Sequence, residues 1–199
     1  ATLGGAIAAG LAGPRRAGSG AVRDFVLGCT LLDGKGDVLR FGGQVMKNVA
    51  GYDVSRLLAG SLGTLGVILE VSLKILPRPA AETTLRLEAP QDKALEWMNH
   101  WAGKPLPISA TCYLNGELSV RLSGAAAAVR AARETLGGEV LEGDEGFWAS
   151  LREQTHPYFA LEAPLWRLSL PSTAVPPRLP GKELIEWGGA LRLLSSAGE

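Results

Sequence analysis

Histidine and cysteine are scarce in this 199-residue chain. The two histidines are His100 and His156, and the two cysteines, Cys29 and Cys112, lie in separate apolar runs. No Cys-x-x-Cys pair and no cluster of histidine and cysteine occurs, so the sequence predicts neither a metal site nor an iron–sulfur centre. Both cysteines are expected to be buried free thiols in a reducing compartment.

Long apolar runs and an excess of one charge are also lacking. No apolar run reaches transmembrane length, and Thr2–Leu11 is too short for a signal peptide and has no charged leader. Basic and acidic residues number 20 each, which argues against nucleic acid as a partner. Residues 1–78 hold nine basic and five acidic side chains, and residues 79–199 hold eleven and fifteen. A basic first part suits an anionic cofactor, although chance explains this difference equally well.

The usual catalytic constellations are missing as well. The sequence has no Ser-His-Asp set, no paired carboxylates at a suitable spacing, no P-loop and no G-x-G-x-x-G fingerprint after a strand. The catalytic residues are therefore unknown at this stage. A cofactor that does the redox chemistry itself would be compatible with so few acid–base groups.

What is present is concentrated between Lys47 and Leu76. A polar loop over Lys47–Tyr52 leads into a short helix over Asp53–Ala59, which Asp53 caps, and Val67–Leu76 reads as a buried strand. The connecting turn, Gly60–Gly66, has glycine at every third position, so its backbone can approach another group closely. On spacing alone, a simple helix-to-strand connection is the favoured interpretation.

This stretch, AGYDVSRLLAGSLGTLGVILEVSLKILP, resembles the end of the FAD-binding domain in vanillyl-alcohol-oxidase-type (PCMH-type) flavoproteins. The opening residues, Thr2–Arg16, look like the other cofactor segment of that family. The motifs GPRR, VRDFVLG, FGGQVMKNVAGYD and IEWGGALR, in this order, most resemble the FAD-binding subunits of bacterial glycolate oxidases. The FAD-type resemblance covers residues 1–79, and the resemblance to those oxidase subunits covers nearly the whole chain.

The resemblance implies FAD as cofactor in the full-length protein. The family's phosphate-cradling glycine loop has no counterpart here, so the chain as given is expected to be a fragment that binds FAD poorly. The cofactor-binding residues implied are Thr2, Leu3, Gly4, Gly5, Ala9, Gly10, Leu11, Ala12, Leu62, Gly63, Thr64, Leu65, Gly66, Val67 and Ile68.

Five polar residues near these segments are further candidates: Lys47, Asn48, Tyr52, Asp53 and Ser61. Lys47 either stabilises negative charge on a reduced flavin or a substrate carboxylate, or is a surface lysine. Tyr52 is expected to be packed, with its hydroxyl hydrogen-bonded, and Asp53 to cap a helix. For Arg15 and Arg16, solvated surface is slightly favoured over contact with a phosphate or a partner, and His156 is expected to be satisfied or solvated.

Pro77-Arg78-Pro79 predicts a boundary between two domains, over residues 1–78 and 79–199. The first domain has a Gly4–Leu11 helix and a hairpin with strands Phe25–Leu32 and Asp37–Phe41 around a turn at Asp33–Gly36. The overall class is α+β: the second half of a PCMH-type FAD-binding domain, then a ferredoxin-like antiparallel cap.

The second domain shows the order β-α-β-β-α-β of a ferredoxin-like unit. Its elements are predicted at Glu82–Glu88, Asp92–Trp101, Ile108–Leu114, Glu117–Ser123, Ala125–Leu136 and Glu139–Leu141. A helix over Phe147–Gln154 follows. A weak second copy, truncated at its carboxyl end, has strands at Leu165–Leu170, Glu183–Trp187 and Ala190–Leu194, with a proline-rich segment, Pro171–Pro180, of no clear structure.

The function implied by the resemblance is oxidation of glycolate to glyoxylate by an FAD-containing complex. Partners would be a larger flavin subunit and an iron–sulfur subunit, in the cytoplasm or peripheral at the inner membrane. Two alternatives stay open: a non-catalytic assembly subunit that retains no flavin, and an independent flavin oxidase for another 2-hydroxy acid.

Overall fold

The structure is a computed structural model that describes residues 2–43, 51–160, 162–176 and 179–196. The chain forms two compact units, the first from Ala1–Ala12 and Gly20–Pro77, the second from Gly13–Ser19 and Arg78–Glu199. The division between Pro77 and Arg78 falls within the Pro-Arg-Pro linker. The short stretch Gly13–Ser19 belongs to the second unit although its sequence neighbours belong to the first, an arrangement that one boundary near residue 78 does not describe.

The helices and strands are numbered along the chain. The helices are α1 (Leu3–Ala8), α2 (Arg16–Ser19), α3 (Val54–Leu57), α4 (Gln91–Ala102), α5 (Ala126–Leu136) and α6 (Asp144–Arg152). The strands are β1 (Val26–Leu32), β2 (Val38–Gly42), β3 (Val67–Leu73), β4 (Ala81–Glu88), β5 (Ile108–Leu114), β6 (Glu117–Gly124), β7 (Glu139–Val140), β8 (Leu165–Ser169), β9 (Lys182–Glu186) and β10 (Leu191–Ser195). Three 3-10 turns lie at Val22–Asp24, Pro157–Ala160 and Trp187–Gly189.

The first unit is built on an antiparallel sheet in the order β2-β1-β3. The predicted hairpin between β1 and β2 is confirmed, and Asp33 stabilises its turn because its Oδ1 accepts hydrogen bonds from Lys35 N and Asp37 N. The helices predicted at Gly4–Leu11 and Asp53–Ala59 are present in shorter form as α1 and α3. The core of this unit is small, with Cys29, Leu31 and Leu58 at its centre.

The prediction of a buried strand over Val67–Leu76 is wrong in its burial. The strand ends at Leu73, and Val67 and Leu69 are exposed. Ile68 and Val71 pack on the small core, and two irregularities interrupt the register of β3 with β1. An apolar run therefore marks a strand here, but only part of one face is covered.

The second unit has a seven-stranded antiparallel sheet in the order β7-β4-β6-β5-β9-β10-β8. Its first four strands, with α4 and α5, have the order of a ferredoxin-like unit, so that prediction is confirmed. Strands β8, β9 and β10 correspond to β4, β5 and β6. The order β4-β6-β5 in the first copy appears mirrored as β9-β10-β8 in the second, which confirms the internal repeat. The two copies meet where β5 pairs with β9, through three residue pairs, Cys112–Glu186, Tyr113–Ile185 and Leu114–Leu184.

Apolar side chains cover both faces of this sheet. On one face, α4 and α5 pack over a cluster that includes Leu85, Leu118, Val120 and Leu122. On the other face, Trp148 and Leu151 of α6 pack with Tyr158 of the 3-10 turn. The helix predicted at Phe147–Gln154 begins three residues earlier, at Asp144, because Asp144 and Glu145 suit the first turn of a helix.

Candidate functional site

The two segments predicted to bind the cofactor come together in the first unit. Gly60 N donates to Ile7 O at 3.0 Å, and Leu62 N donates to Ala8 O at 2.8 Å. A Cβ added to Gly10 would lie 3.2 Å from Gly60 Cα, so the chain following α1 fits closely against the turn only because residue 10 is glycine. We name residues Thr2–Ala12 and Gly60–Ile68 together the glycine-turn surface.

The turn itself holds an unusual backbone conformation. Leu62, Gly63 and Gly66 have φ of 54°, 77° and 143°. A Cβ on Gly63 would meet no atom within 4 Å, whereas a Cβ on Gly66 would lie 2.4 Å from Leu32 O. Gly63 therefore faces open space where a ligand could lie against the backbone, and Gly66 is required for contact with β1.

Apolar side chains surround this open backbone. Of the predicted cofactor residues, five have large exposed apolar side chains: Leu3, Leu11, Leu62, Leu65 and Val67. Leu62 is 74% exposed, although it precedes the glycine at the centre of the turn. Exposed apolar groups beside an open stretch of glycine backbone suit a ligand with a flat ring.

The amino end of α1 is already hydrogen-bonded within the chain. Thr2 caps the helix, because its Oγ1 accepts from Gly5 N at 3.1 Å. A Cβ on Gly4 would lie 3.8 Å from Ile68 O, so Gly4 faces β3 without crowding it. At the other end, Ala9 N donates to Gly5 O and Leu11 N to Ala6 O. Ala12 is exposed, and the Thr64 hydroxyl donates to Ser61 O at 2.7 Å.

The polar residues proposed near the cofactor segments differ in exposure and in hydrogen bonding. Lys47 and Asn48 lie outside the described residues. Tyr52 is 96% exposed, so the prediction that it is packed is wrong, because the small core around Cys29, Leu31 and Leu58 does not extend to it. Asp53 caps α3 as predicted, since its Oδ1 accepts from Arg56 N and from the Ser55 hydroxyl. Ser61 contributes its backbone to the turn.

Sequence reasoning missed a polar row on the three-stranded sheet. Arg40, Thr30 and Glu70 lie opposite one another on β2, β1 and β3, and the Thr30 hydroxyl donates to Glu70 Oε2 at 3.1 Å. They line a cavity of about 200 Å³. The alternation of Glu70 and Ser72 along β3 was the available signal, and the apolar residues around them obscured it.

The two cysteines and His156 are packed or hydrogen-bonded within the fold. Cys29 and Cys112 are buried free thiols, as predicted, and burial raises the pKa of each. His156 is satisfied, because its Nδ1 accepts from Tyr158 N, and burial lowers its pKa. Glu186, which the sequence did not single out, is 5% exposed, and burial raises the pKa of its carboxyl to about 7.

Among the described residues, neither a metal-binding cluster nor a helix able to span a membrane is present. No three histidine, cysteine, aspartate or glutamate side chains there lie close enough together to hold a metal ion. None of the helices in the described ranges combines the length and the apolar character needed to cross a membrane.

Known proteins with similar sequences give information on function that the geometry alone does not give. The chain is 56% identical over all 199 residues to glycolate oxidase subunit GlcE of Escherichia coli (strain K12). The chain is thus similar to GlcE along its whole length. It spans 56% of the length of that subunit, so it corresponds to little more than half of the curated relative. No protein-family model matches the chain.

Two further proteins are similar to this chain, one in sequence and one in fold. Glycolate oxidase subunit GlcD of Bacillus subtilis (strain 168) is 43% identical over 84 residues, which are 42% of this chain and 18% of that protein. A solved structure of alkyldihydroxyacetonephosphate synthase superposes with a TM-score of 0.60 at 15% identity, covering 97% of this chain and 50% of that one. The likeness to this solved structure concerns the fold alone, and it confirms the predicted α+β class.

Proposed function

We propose that this chain is part of the FAD-binding subunit of a glycolate oxidase complex, which oxidises glycolate to glyoxylate. The observation that carries this proposal is the 56% identity to GlcE along the whole chain. The partial identity to GlcD supports it, because that relative is also named as a glycolate oxidase subunit. A larger flavin subunit and an iron–sulfur subunit are the partners we propose, with the complex in the cytoplasm or peripheral at the inner membrane.

Within this proposal, the first unit is the C-terminal part of the FAD-binding domain and the second unit is its ferredoxin-like cap. The glycine-turn surface would hold the flavin through Thr2–Gly5, Ala9–Ala12 and Leu62–Ile68. The fit rests on open space in front of Gly63 and on the exposed side chains of Leu62 and Leu65. Bound FAD would supply the chemistry by accepting the two electrons that leave the substrate.

The chain's own residues would bind and orient the ring. Most amides of the turn already donate to carbonyl groups of the chain, so the donors that remain for polar ring atoms are Gly63 N and Leu65 N. The apolar side chains would exclude water from one face of the ring. We assign no proton acceptor, because the Asp53 carboxylate is engaged in capping α3 and in an ion pair with Arg56 at 3.4 Å. The proposal therefore gives this chain a binding and orienting role.

The test compares two glycines with the same backbone requirement. Gly63 and Gly36 have φ of 77° and 88°, and a Cβ on either meets no atom within 4 Å. In the full-length protein, Gly63→Val should lose most of the FAD, measured by the visible spectrum and by cofactor released on denaturation. Gly36→Val carries a similar backbone cost in the β1–β2 turn and should keep FAD. Equal FAD content in both variants would show that Gly63 only turns the chain.

The substrate requires a separate measurement. Glycolate-dependent electron transfer by the purified complex should disappear when this subunit is omitted and return when it is added back. A full-length subunit that retains no flavin, yet restores activity to the complex, would favour the assembly role instead.

A further inference from the structure

A cavity of about 310 Å³ lies between the seven-stranded sheet and the part of the chain around α6. Six of the residues that line it are Arg86, Cys112, Glu117, Ser119, Phe147 and His156. Polar side chains beside an apolar wall are typical of cavities that bind small molecules. None of these residues has a role in the proposed function.

The cavity is built by the first copy of the repeat, all of whose elements are present. A further strand beside β8 would be separated from β5 by β9, β10 and β8, about 19 Å away. The connections within both copies lie on the other face of the sheet, where α4 and α5 pack and where Asn99 of α4 donates to Ser172 O at 3.1 Å. A helix that completes the second copy is expected on that face as well, so the cavity does not depend on it.

A row of paired residues crosses the floor of the cavity. Arg86 on β4 lies opposite Ser119 on β6, and Ser119 lies opposite Cys112 on β5. Side chains of directly opposite residues share one face of a sheet, which here is the face of α6. Ser119 and Cys112 are already buried by this chain, so the depth of the cavity is set without any other segment.

The guanidinium of Arg86 is only partly engaged. Its Nε lies 3.1 Å from Glu117 Oε1, and both side chains are partly exposed. Nε is nevertheless buried and donates no hydrogen bond to any described residue, so the two groups attract each other without a directed bond. A guanidinium has five N–H groups, and a carboxylate ligand can accept from those that Glu117 leaves unused.

The imidazole of His156 offers a second donor. Its Nδ1 accepts from Tyr158 N at 3.2 Å, so the neutral ring carries its proton on Nε2. The ring lies edge-on to Phe147, with 5.9 Å between the centroids. Burial lowers the pKa of His156, so the imidazole of the free protein is mostly neutral at neutral pH.

We propose that this cavity binds a small organic carboxylate together with one proton, which His156 takes up. The ligand's carboxylate accepts from the Arg86 guanidinium, the Ser119 hydroxyl and the imidazole Nε2, and its apolar part lies against Phe147. This inference goes beyond the proposed function and does not depend on bound flavin.

The charges around the cavity explain why a proton accompanies the ligand. Glu117 already balances Arg86, so a bound carboxylate adds one negative charge, which a protonated His156 neutralises. The Cys112 thiol stays neutral, because burial raises its pKa. Glu186, opposite Cys112 on β9, has its pKa raised to about 7 by burial and is therefore mostly uncharged at about pH 6.

The experiment uses the full-length protein with butyrate and butyramide, two probes of the same size that differ in charge. Isothermal titration calorimetry at about pH 6 should show butyrate binding about tenfold more tightly than butyramide. Butyrate stays ionised between about pH 6 and about pH 8, and its affinity should decrease as pH rises over this range. By NMR, the pKa of the His156 imidazole should rise when butyrate is added, and His156→Gln identifies that resonance and should remove most of the pH dependence.

Variants of the ion pair should change the affinity for butyrate in opposite directions. Arg86→Gln should weaken binding about tenfold, because the charged donor is lost. Glu117→Gln should tighten binding several-fold, because a repelling charge is removed and Arg86 becomes fully available. Arg130→Gln, an exposed position of α5 on the other face of the sheet, is the matched control and should bind butyrate as the wild type does.

Any one of four results would overturn the proposal: no binding of butyrate at millimolar concentration, equal binding of butyrate and butyramide, weaker binding in both Arg86→Gln and Glu117→Gln, or an unchanged pKa of His156. A purely structural ion pair would make its two variants change alike, and butyrate bound beside the flavin would respond to neither. FAD content bears on none of these measurements, so their failure is distinguishable from failure of the proposed function.

Discussion

The two units use their apolar side chains differently, although both are built on antiparallel sheets. Of sixteen large apolar side chains that are exposed among the described residues, twelve belong to the first unit and four to the second. The core of the first unit centres on three buried residues, whereas the second has clusters on both faces of its sheet. The second unit thus stabilises itself by its own packing, and the first presents apolar surface of the kind that binds ligands or other proteins.

The sharpest way to test this comparison is to remove the same side chain from each sheet. Leu118 on β6 is fully buried, so Leu118→Ala should lower the free energy of unfolding of the second unit by about 2–5 kcal/mol. Leu69 on β3 is half-exposed, and Leu69→Ala should cost under about 1 kcal/mol. Hydrogen exchange of peptides from β4 and β6 reports the stability of the second unit, and exchange of peptides from β1 reports that of the first. A large loss of stability in Leu69→Ala would show that this exposed side chain contributes to the packing of the first unit, against the comparison drawn here.

A second test concerns the backbone of the glycine turn. Gly66→Ala places a Cβ against Leu32 O and should destabilise the first unit by about 2–4 kcal/mol, because overlap and positive φ both contribute. Gly63→Ala meets open space and should cost only about 1 kcal/mol. Exchange rates of β1 amides report the difference. If the two variants exchange alike, the contact of Gly66 with β1 does not hold this unit together.

The smallest expected effect is the pH dependence of the second unit. Burial raises the pKa of Glu186 to about 7 in the folded protein, above its ordinary value of 4.5. The folded state therefore holds this proton more tightly, and stability decreases as pH rises from about 4.5 to about 7 and then levels off. Between about pH 5 and about pH 8 the loss should be about 2 kcal/mol.

Urea unfolding of Glu186→Gln at both pH values checks this dependence, with Glu88→Gln, an exposed carboxyl on β4, as control. The free energy of unfolding of Glu186→Gln should increase relative to that of the wild type as pH rises. The free energy of unfolding of Glu88→Gln should change with pH as that of the wild type does. Because burial lowers the pKa of His156, that residue acts in the opposite direction below its ordinary value of 6.5, so the comparison between variants matters more than the wild-type profile. An unchanged difference between the two pH values would contradict the prediction.

Local signals predicted much of the fold. The turn between the predicted strands at Ile108–Leu114 and Glu117–Ser123 consists of Asn115 and Gly116, with φ of 52° and 88°, which is the residue pair that a two-residue hairpin turn favours. Asp53 identified the start of α3, because a short acceptor side chain before an apolar pattern is typical of helix caps. The ferredoxin-like order followed from elements that are close in sequence, and the cofactor segments came from the family resemblance.

Long-range relations could not be predicted in this way. The bond between Trp187 Nε1 and Gly13 O joins residues 174 positions apart, and no local pattern encodes it. Arg192 is fully buried and donates to Gly189 O, Val175 O and Ala174 O, although arginine is ordinarily read as a surface residue. The exposure of β3 was missed for the same reason, since composition indicates that a strand is apolar without indicating what covers it.

The junction between β5 and β9 has a mechanical consequence. Only three residue pairs join the two repeats there, whereas β4 and β6 share eight. Under a pull directed across the strands, hydrogen bonds between paired strands open in succession. Apart from the two residue pairs that hold the edge strand β7 to β4, this seam is the shortest pairing, so it yields before the others and each repeat moves as a block. Side chains of Cys112 and Leu184 lie on either side of the seam in one apolar cluster, so opening it also exposes buried apolar surface. The seven-stranded sheet therefore consists of two blocks, one for each repeat, and a force across the strands would separate them at the seam between β5 and β9.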